Sequence, residues 1–324
     1  MSSGTRIVSL GHYQPSRVLT NADLEELVET SDDWIRSRVG IVTRRIAGPD
    51  ETVDEMATAA AEKALASSGL TAAQIDLVIV ATCTALDRSP TMSARVAARL
   101  GLGSPALLDV NVACAGFTHA LALADHAIRA QSATNALVIG VEKLSDFTDW
   151  TDRSTCVLVG DGAGAAVVSA SEQAEIGPVT WGSVPQMASA VRIEVERDED
   201  GAPRRAGGAR FAQDGQSVYR WATTQLPEIA RRACERSGLT PADLAAVVFH
   251  QANLRIIEPL AVKLGAVNAV VAKDVVESGN TSAASIPLAL AKLVERGEIP
   301  SGGPVLLFGF GGNLSYAGQV VRCP

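Results

Sequence analysis

Cys114 is the residue whose type and position best suit covalent chemistry. It lies in the segment VNVACAGFTH, residues 110–119. The apolar run 106–112 predicts a strand, and small and apolar residues from Ala115 onward predict a helix. This order places Cys114 in the first turn of the helix, where the partial positive charge of a helix N-terminus favours a thiolate. A buried core cysteine fits the same context equally well.

Two further polar residues follow apolar or turn segments in the second half of the chain. His250 lies in FHQANLR, residues 249–255, at the end of a predicted strand. Asn280 lies in SGNTSAASIP, residues 278–287. Taken singly, His250 fits a structural histidine and Asn280 fits an ordinary turn or helix cap.

The chain has two glycine-rich stretches, at residues 160–168 and 308–315, that could approach a ligand closely. Residues 160–168, GDGAGAAVV, do not fit GxGxxG and predict a tight turn or a close backbone approach rather than a dinucleotide site. Residues 308–315, FGFGGNLS, follow the predicted strand 305–308. Their glycines can aim backbone N–H groups at a developing oxyanion. The chain has no GxSxG, HExxH or Walker motif.

An internal repeat indicates how these residues are positioned. SGLTAAQ at residues 68–74 recurs 169 residues later as SGLTPAD at 237–243, and each copy precedes a predicted strand, 75–81 or 244–250. At the same offset LVIG at 137–140 matches LLFG at 306–309, and LAL at 121–123 has a near-offset match at 288–290. Alternating strands and helices in two similar halves predict an α/β protein with largely parallel sheets covered by helices.

The repeat also relates the three candidate residues. NVAC at residues 111–114 is equivalent to NTSA at 280–283, and His250 ends the strand equivalent to 75–81. Ligands of such sheets gather where strands end and helices begin. If the halves pack about a pseudo-twofold axis, Cys114, His250 and Asn280 converge on one site.

Composition limits the class of protein. The 324-residue chain has a formal net charge of −8, which argues against a nucleic-acid binder. It has no apolar stretch of membrane-spanning length and no signal-peptide pattern at its start, so a cytoplasmic protein without membrane attachment is expected. Five cysteines without a CxxC pair predict neither a disulfide framework nor a metal site.

The repeat also suggests a division of the chain. We expect a first half at 1–170, a connecting excursion at 171–215 and a second half at 216–324. The charge run in the excursion, residues 194–205, is typical of a solvated surface loop.

The sequence resembles the β-ketoacyl-acyl-carrier-protein synthase III family of the thiolase superfamily almost from end to end. The matching motifs include the Cys114 segment, GDGAGAA at 160–166, HQANLR at 250–255, GNTSAAS at 279–285 and GFGG at 309–312. The resemblance implies a thiolase fold, with two similar βα halves in a layered αβαβα arrangement. A single cysteine with one histidine and one asparagine separates it from elongating ketosynthases and thiolases.

The resemblance implies a decarboxylative condensation. Cys114 would accept an acyl group from acyl-CoA, and His250 and Asn280 would donate hydrogen bonds to the thioester oxygen of malonyl-acyl carrier protein. The backbone N–H groups of Cys114 and Gly312 would form the oxyanion hole. Phe310 matches a phenylalanine that shields the cysteine. No cofactor and no metal are implied, because acyl-CoA is a substrate.

Five residues match positions that bind CoA or the carrier protein in the family. Trp34 and Arg153 match an aromatic and an arginine that hold the adenine, and Arg38 matches a residue near the CoA phosphates. Asn253, grouped with them, matches an asparagine that orders the active-site histidine. Arg255 matches a basic residue where the acidic carrier protein docks. The family is a homodimer.

Two departures bear on substrate choice. Ser89 stands in the segment where a loop of the partner subunit closes the acyl pocket, and many acetyl-selective members carry phenylalanine there. Asn313 replaces a common glycine or alanine. Both leave open a longer, branched or ring-bearing acyl group, and a starter enzyme for either fatty acid or polyketide chains.

Other functions compete with condensation. A related acyltransferase of secondary metabolism would move the acyl group to another acceptor without decarboxylation, and such relatives usually lose the histidine or asparagine that this chain keeps. A cysteine hydrolase or thioesterase would release the free acid. A non-catalytic assembly subunit would lack the nucleophile, and a dinucleotide-dependent dehydrogenase would carry GxGxxG after its first strand.

Overall fold

The computed structural model describes residues 4–87, 89–195 and 209–324. The strands in this part of the chain are β1 (Gly4–Tyr13), β2 (Val18–Thr20), β3 (Thr43–Arg45), β4 (Leu77–Ala81), β5 (Ala106–Val110), β6 (Asn135–Lys143), β7 (Asp161–Ser171), β8 (Thr180–Gly182), β9 (Val191–Val195), β10 (Ala209–Gln213), β11 (Ala246–Phe249), β12 (Val270–Val271), β13 (Pro304–Phe310) and β14 (Tyr316–Arg322). The α-helices are α1 (Asn21–Glu25), α2 (Asp32–Val39), α3 (Val53–Ser68), α4 (Met92–Arg99), α5 (Gly116–Arg129), α6 (Arg153–Cys156), α7 (Gly215–Thr224), α8 (Leu226–Arg236), α9 (Leu254–Leu264), α10 (Val275–Ser278) and α11 (Ser285–Glu295).

Two large sheets repeat one strand order. The first runs β1-β7-β6-β4-β5 and the second, read from its other edge, runs β8-β14-β13-β11-β12. In both, the central strands are parallel and the following strand, β7 or β14, returns antiparallel. Leu77 of β4 pairs with Ala136 of β6, and Ala246 of β11 pairs with Val305 of β13, so both partners are displaced by the repeat offset. The predicted α/β fold of two similar halves is confirmed.

Helices and sheets form five layers, αβαβα. Helices α5 and α11 lie between the sheets: α5 contacts β4, β6, β13 and β14, while α11 contacts β1, β7, β11 and β13. Helices α3 and α4 cover the outer face of the first sheet, and α8 covers that of the second, with α9 packed on α8. The first seven residues of α11 are all buried, as expected for a helix enclosed by two sheets.

The predicted strands are present: β4, β5 and β11 are shorter than predicted, whereas β13 is longer. Strand β4 is completely buried and apolar, which is typical of a parallel strand covered on both faces. The turn predicted at residues 160–168 is wrong, because most of this stretch belongs to β7. The close backbone approach predicted there is confirmed: a Cβ at Gly164 would lie 2.6 Å from the backbone nitrogen of Leu288 in α11.

The connecting segment 171–215 is more than the expected surface excursion. Its strand β8 pairs with β14 at the edge of the second sheet, and β9 pairs with β10. Residues 196–205 of the charge run lie outside the described residues, and the division at 170 and 215 stays a prediction. In the described part of the chain, no helix combines the length and apolar character needed to cross a membrane.

Candidate active site

Cys114 lies in a short turn between β5 and α5. The turn is a 3-10 helix, Ala113–Ala115, and it precedes α5 rather than forming its first α-helical turn as predicted. The reason is the backbone of Ala113, whose φ of 45° interrupts the regular helix. The equivalent turn, Ser282–Ala284, precedes α11, and Ser282 has the same φ of 45°. The two turns contact each other at the centre of the molecule.

Some groups around Cys114 raise the pKa of its thiol, and others lower it. Burial is the largest influence and raises the pKa of the thiol to about 11. The Ser282 hydroxyl and the backbone N–H groups of Gly312 and Cys114 act in the opposite sense, whereas the Glu142 carboxylate raises the pKa further. The resting residue is therefore a protonated thiol with donors arranged to stabilise developing negative charge.

The glycine-rich segment after β13 lies directly against the nucleophile. Gly311 has a φ of 154°, and a Cβ there would lie 2.9 Å from the Cys114 sulfur. Gly312 begins the next 3-10 turn, and its N–H faces the same sulfur. The backbone N–H groups of Cys114 and Gly312 both act on the thiol, and their role as an oxyanion hole stays a prediction.

His250 follows β11 and is completely enclosed. Its Nδ1 lies 2.8 Å from the Ser285 hydroxyl, which also accepts a hydrogen bond from the backbone N–H of Gln251 at 3.3 Å. The Phe310 ring packs edge-on against the imidazole, with the ring centres 5.5 Å apart. Burial lowers the pKa of His250 to about 3, so the ring is neutral near pH 7.

Asn280 is fixed by its backbone and by one side-chain bond. Its backbone N–H donates to Leu158 at 2.7 Å and its carbonyl accepts from Gly160 at 2.9 Å. The side-chain Oδ1 accepts from the backbone N–H of Ser282 at 2.9 Å. This bond orients the amide so that its NH₂ group is left for another acceptor.

Cys114 and Asn280 share one cavity of about 730 Å³. Its apolar lining comes from Ala85, Leu86, Leu144, Phe147, Val191, Ile193, Val195, Ala209 and Phe211. Among the described residues, neither His250 nor Ser89 lines this cavity; His250 packs against Phe310, and Ser89 is exposed on the surface. The structure therefore brings Cys114 and Asn280 to one cavity, and the convergence of His250 with them stays a prediction.

A second cleft of about 800 Å³ contains three of the predicted binding residues. Arg38, Asn253 and Arg255 line it together with Arg220 and Tyr219, which the sequence did not single out. The guanidinium of Arg255 donates to the backbone carbonyl of Ser37.

Three of the predicted binding residues, Asn253, Arg153 and Trp34, have defined contacts. Asn253 caps α9 by accepting from the Arg255 N–H at 2.8 Å, and the hydrogen bond to His250 comes from Ser285 instead. The guanidinium carbon of Arg153 lies 4.8 Å from the centre of the Trp34 ring, so the predicted pair meets in a cation–π contact.

Comparisons with known proteins decide the family. A family model described as 3-oxoacyl-[acyl-carrier-protein] synthase III matches residues 108–185, and the model of its C-terminal part matches residues 234–323. The chain is 72% identical to β-ketoacyl-[acyl-carrier-protein] synthase III 4 of Streptomyces coelicolor, covering 100% of both chains. It is 74% identical to synthase III 2 of Streptomyces avermitilis, over 99% of this chain and 100% of the relative.

The chain belongs to the β-ketoacyl-acyl-carrier-protein synthase III family. A solved structure agrees: the priming β-ketosynthase of the R1128 polyketide pathway is 40% identical, with a TM-score of 0.95 over 100% of this chain and 97% of that chain. The expected thiolase-type fold and acyltransferase activity are confirmed, and the condensing reaction of a synthase III is the function of the chain.

Sequence reasoning missed several polar residues around the nucleophile of this synthase. Glu142 near the end of β6 is fully buried, and Ser282 and Cys83 line the Cys114 cavity. One signal was available for Glu142, because it is the single charged residue in the apolar run 136–142. Nothing in the sequence indicated that Ser282 of the second half would line the Cys114 cavity, or that Ser285 would bond to His250.

Substituting Gly311 tests the packing at the nucleophile. In Gly311→Ala the new methyl group meets the Cys114 sulfur, and the backbone conformation becomes strained. We expect acylation of Cys114 to slow by about 10²-fold, the scale of a misplaced reacting group. Gly103→Ala is the control, since a Cβ there meets nothing within 4 Å. Equal acylation rates for both variants, measured by intact-protein mass, would contradict the packing described.

Proposed function

We propose that this enzyme takes an acyl group from an acyl-CoA onto Cys114 and condenses it with a malonyl group carried by acyl carrier protein, releasing CO2. This proposal rests mainly on the position of Cys114, which lines a largely apolar cavity together with Asn280. Covalent capture divides the reaction into two half-reactions at one sulfur.

In the first half-reaction the Cys114 sulfur attacks the thioester carbonyl. The carbonyl oxygen becomes negatively charged in the tetrahedral adduct. The backbone N–H groups of Cys114 and Gly312, which already act on the sulfur, are the donors for that charge. The acyl chain then lies in the apolar cavity, whose volume of about 730 Å³ favours groups larger than acetyl.

In the second half-reaction His250 and Asn280 act on the malonyl thioester. With Nδ1 bonded to Ser285, a neutral His250 carries its proton on Nε2 and donates it toward substrate. The NH₂ group of Asn280 is the second donor. Two donors on the thioester oxygen stabilise the enolate formed on loss of CO2, which then attacks the acyl-cysteine. Keeping both donors favours condensation over acyl transfer without decarboxylation.

The basic cleft is the proposed docking site for the phosphopantetheine-bearing substrates. Arg38, Arg220 and Arg255 place three cations around one opening on a chain whose net charge is −8. A local positive patch steers an acidic carrier protein to this opening. The stacked Trp34 and Arg153 offer flat surfaces for the adenine of CoA.

The edge of the first sheet supports a homodimer. Strand β5 has no buried residue, Leu107 and Leu108 are 43% and 42% exposed, and nearby Leu86 is 75% exposed. An exposed apolar edge strand pairs readily with another strand. In such a dimer the exposed Ser89 loop serves the partner's acyl pocket rather than its own. Sedimentation showing only monomers at micromolar concentration would contradict this proposal.

The chemistry needs no cofactor or metal, since every step uses groups of the chain or its substrates. The free thiol on which it depends is stable in the reducing cytoplasm, where we place the enzyme. The acyl group that the cavity accepts determines whether the enzyme initiates fatty acid chains or polyketide chains.

Separate substitutions of His250 and Asn280 by alanine test whether these residues act in the malonyl half-reaction rather than in acyl transfer to Cys114. We expect acyl transfer from acyl-CoA to Cys114 to stay within about threefold of wild type, and CO2 release from malonyl-carrier protein to fall by about 10²–10³-fold. Acyl-enzyme is measured by mass and CO2 from labelled malonyl. Parallel loss of both half-reactions would show that these residues do not act chiefly on the malonyl group.

Charge reversal tests the docking cleft. Arg220→Glu and Arg255→Glu are expected to raise KM for malonyl-carrier protein by about tenfold while kcat changes little, because they weaken encounter rather than chemistry. The rise shrinks at high salt. Arg6→Glu makes the same charge change on an exposed residue of β1, in the other sheet. An equal rise in KM for Arg6→Glu would contradict the assignment.

A further inference from the structure

Glu142 is a buried carboxyl group to which the condensation described above gives no task. It lies near the end of β6 and has no solvent exposure. The adjacent ammonium group does not neutralise it: Lys143 Nζ lies 2.8 Å from the Gly48 carbonyl and 3.8 Å from Asp146. A charged carboxylate in this position is costly unless hydrogen bonds replace the lost water.

The groups around Glu142 are all donors. The hydroxyls of Thr84, Ser282 and Thr82 lie at 2.7, 3.1 and 3.2 Å from its oxygens. The Cys83 backbone N–H donates at 3.1 Å, and the Cys83 thiol lies 3.3 Å away. Burial raises the pKa of Glu142, while these bonds favour its ionised form. The carboxylate is thus held ready to accept a proton without being exposed to solvent.

Ser282 connects this carboxylate to the nucleophile. Its hydroxyl donates to Glu142 Oε1 at 3.1 Å. Ser282 lines the same cavity as Cys114, and the turns that carry the two residues contact each other. The Ser282 backbone is fixed by the bond to Asn280 and by the turn equivalent to that of Cys114. Ser282 is therefore next to the nucleophile and hydrogen-bonded to the buried carboxylate.

The acyl-transfer step needs a path for the proton of the thiol. The Cys114 thiol is protonated at rest because burial raises its pKa. His250 is a poor acceptor for that proton, because burial lowers its pKa to about 3 and its Nδ1 is bonded to Ser285. Among the groups that contact Ser282, the Glu142 carboxylate is the base.

We propose that Ser282 passes the proton of Cys114 to Glu142 during acyl transfer, an inference that rests on the proposed function. As the sulfur bonds to the thioester carbon, the Cys114 proton moves to Ser282 Oγ and the Ser282 proton moves to Glu142 Oε1. When the carbon–sulfur bond to CoA breaks, the proton returns from Glu142 through Ser282 to the departing sulfur. CoA leaves as a thiol, and Glu142 is ionised again.

Other titratable groups near Glu142 have different roles. The Cys83 thiol stays protonated, because burial and the Glu142 charge raise its pKa well above the usual value. Asp161 lies on β7, opposite Lys143, and accepts hydrogen bonds from Ala47 and Ser145. The Cys83 thiol also lies 3.9 Å from the Ser282 hydroxyl, but a protonated thiol is not a base for the Cys114 proton.

The test separates proton removal from acyl-CoA binding. Acylation of Cys114 by p-nitrophenyl acetate is followed by nitrophenolate release, with Cys114→Ala subtracted as background. Nitrophenolate leaves without a proton, so the rate reports the removal of the thiol proton. In parallel, ultraviolet thiolate absorbance across pH gives the equilibrium pKa of Cys114. Both are measured for wild type, Glu142→Gln, Glu142→Asp and Ser282→Ala.

The relay predicts opposite changes in the two measurements for Glu142→Gln. The pKa of Cys114 falls, because the carboxylate charge that raises it is gone. Acylation nevertheless slows by about 10²-fold near neutral pH, the scale of general base catalysis, and the deficit shrinks as hydroxide rises. Ser282→Ala slows acylation similarly, and Glu142→Asp recovers part of the rate.

Thr84→Val is the matched control, since it removes another donor to Glu142 that is not on the path, and its acylation stays within about threefold of wild type. A Glu142→Gln rate equal to or above wild type overturns the relay, because that is the result of a carboxylate that only repels the thiolate. Loss by one constant factor at every pH also overturns it and indicates a structural role. Failure of acyl-CoA to acylate the wild type would instead refute the proposed donor while leaving the relay result intact.

Discussion

The close approach of two small-residue turns between the sheets is the constraint on which this structure depends. The turn that carries Cys114 packs against its equivalent from the other half, and glycine is required where they meet. A Cβ at Gly116 would lie 3.0 Å from that of Ala81 and 3.3 Å from that of Ala283, and one at Gly140 would lie 2.3 Å from the Ala283 carbonyl oxygen. Larger residues would separate the halves and divide the site.

Burial of the site sets the protonation state of each catalytic group. Removing Cys114 and His250 from water disfavours their charged forms, so the thiol is protonated and the imidazole is neutral. Burial also raises the pKa of Glu142, but the hydrogen bonds it accepts favour its ionised form. A neutral imidazole suits a hydrogen-bond donor to a thioester oxygen. The same burial makes each short hydrogen bond stronger than it would be in water. The mechanism therefore depends on fixed donors around a site that excludes solvent.

The sequence predicted the architecture well because each copy of the repeat carries short motifs that can be recognised without knowing the tertiary structure. Matching motifs at one offset indicated two similar halves, and the equivalence of residues 111–114 with 280–283 is present as a pair of turns with the same backbone. The glycine stretch 160–168 was misjudged because its small residues serve close packing of β7 on α11 rather than a turn. The strand propensity of residues 160–168 gives no information about the packing of β7 on α11.

The groups surrounding the nucleophile were beyond sequence reasoning. Ser285 holds His250 within the second half, and Ser282 of the second half lines the cavity of Cys114 from the first half, so their roles arise from tertiary packing. Glu142 was not singled out from the sequence, because its five hydrogen-bond donors come from segments that meet only in the fold. Arg220 lines the basic cleft because α7 packs against α9. No sequence motif indicates that these two helices are neighbours.

Intact-protein mass after exposure to a panel of acyl-CoAs tests the central claim most directly. The panel extends from acetyl to branched and aromatic acyl groups, with Cys114→Ala as the control. The account predicts a stable adduct of one acyl group per chain, strongest for acyl groups larger than acetyl and absent from Cys114→Ala. Adducts that form equally on Cys114→Ala would contradict the assignment of the nucleophile and of the site built around it.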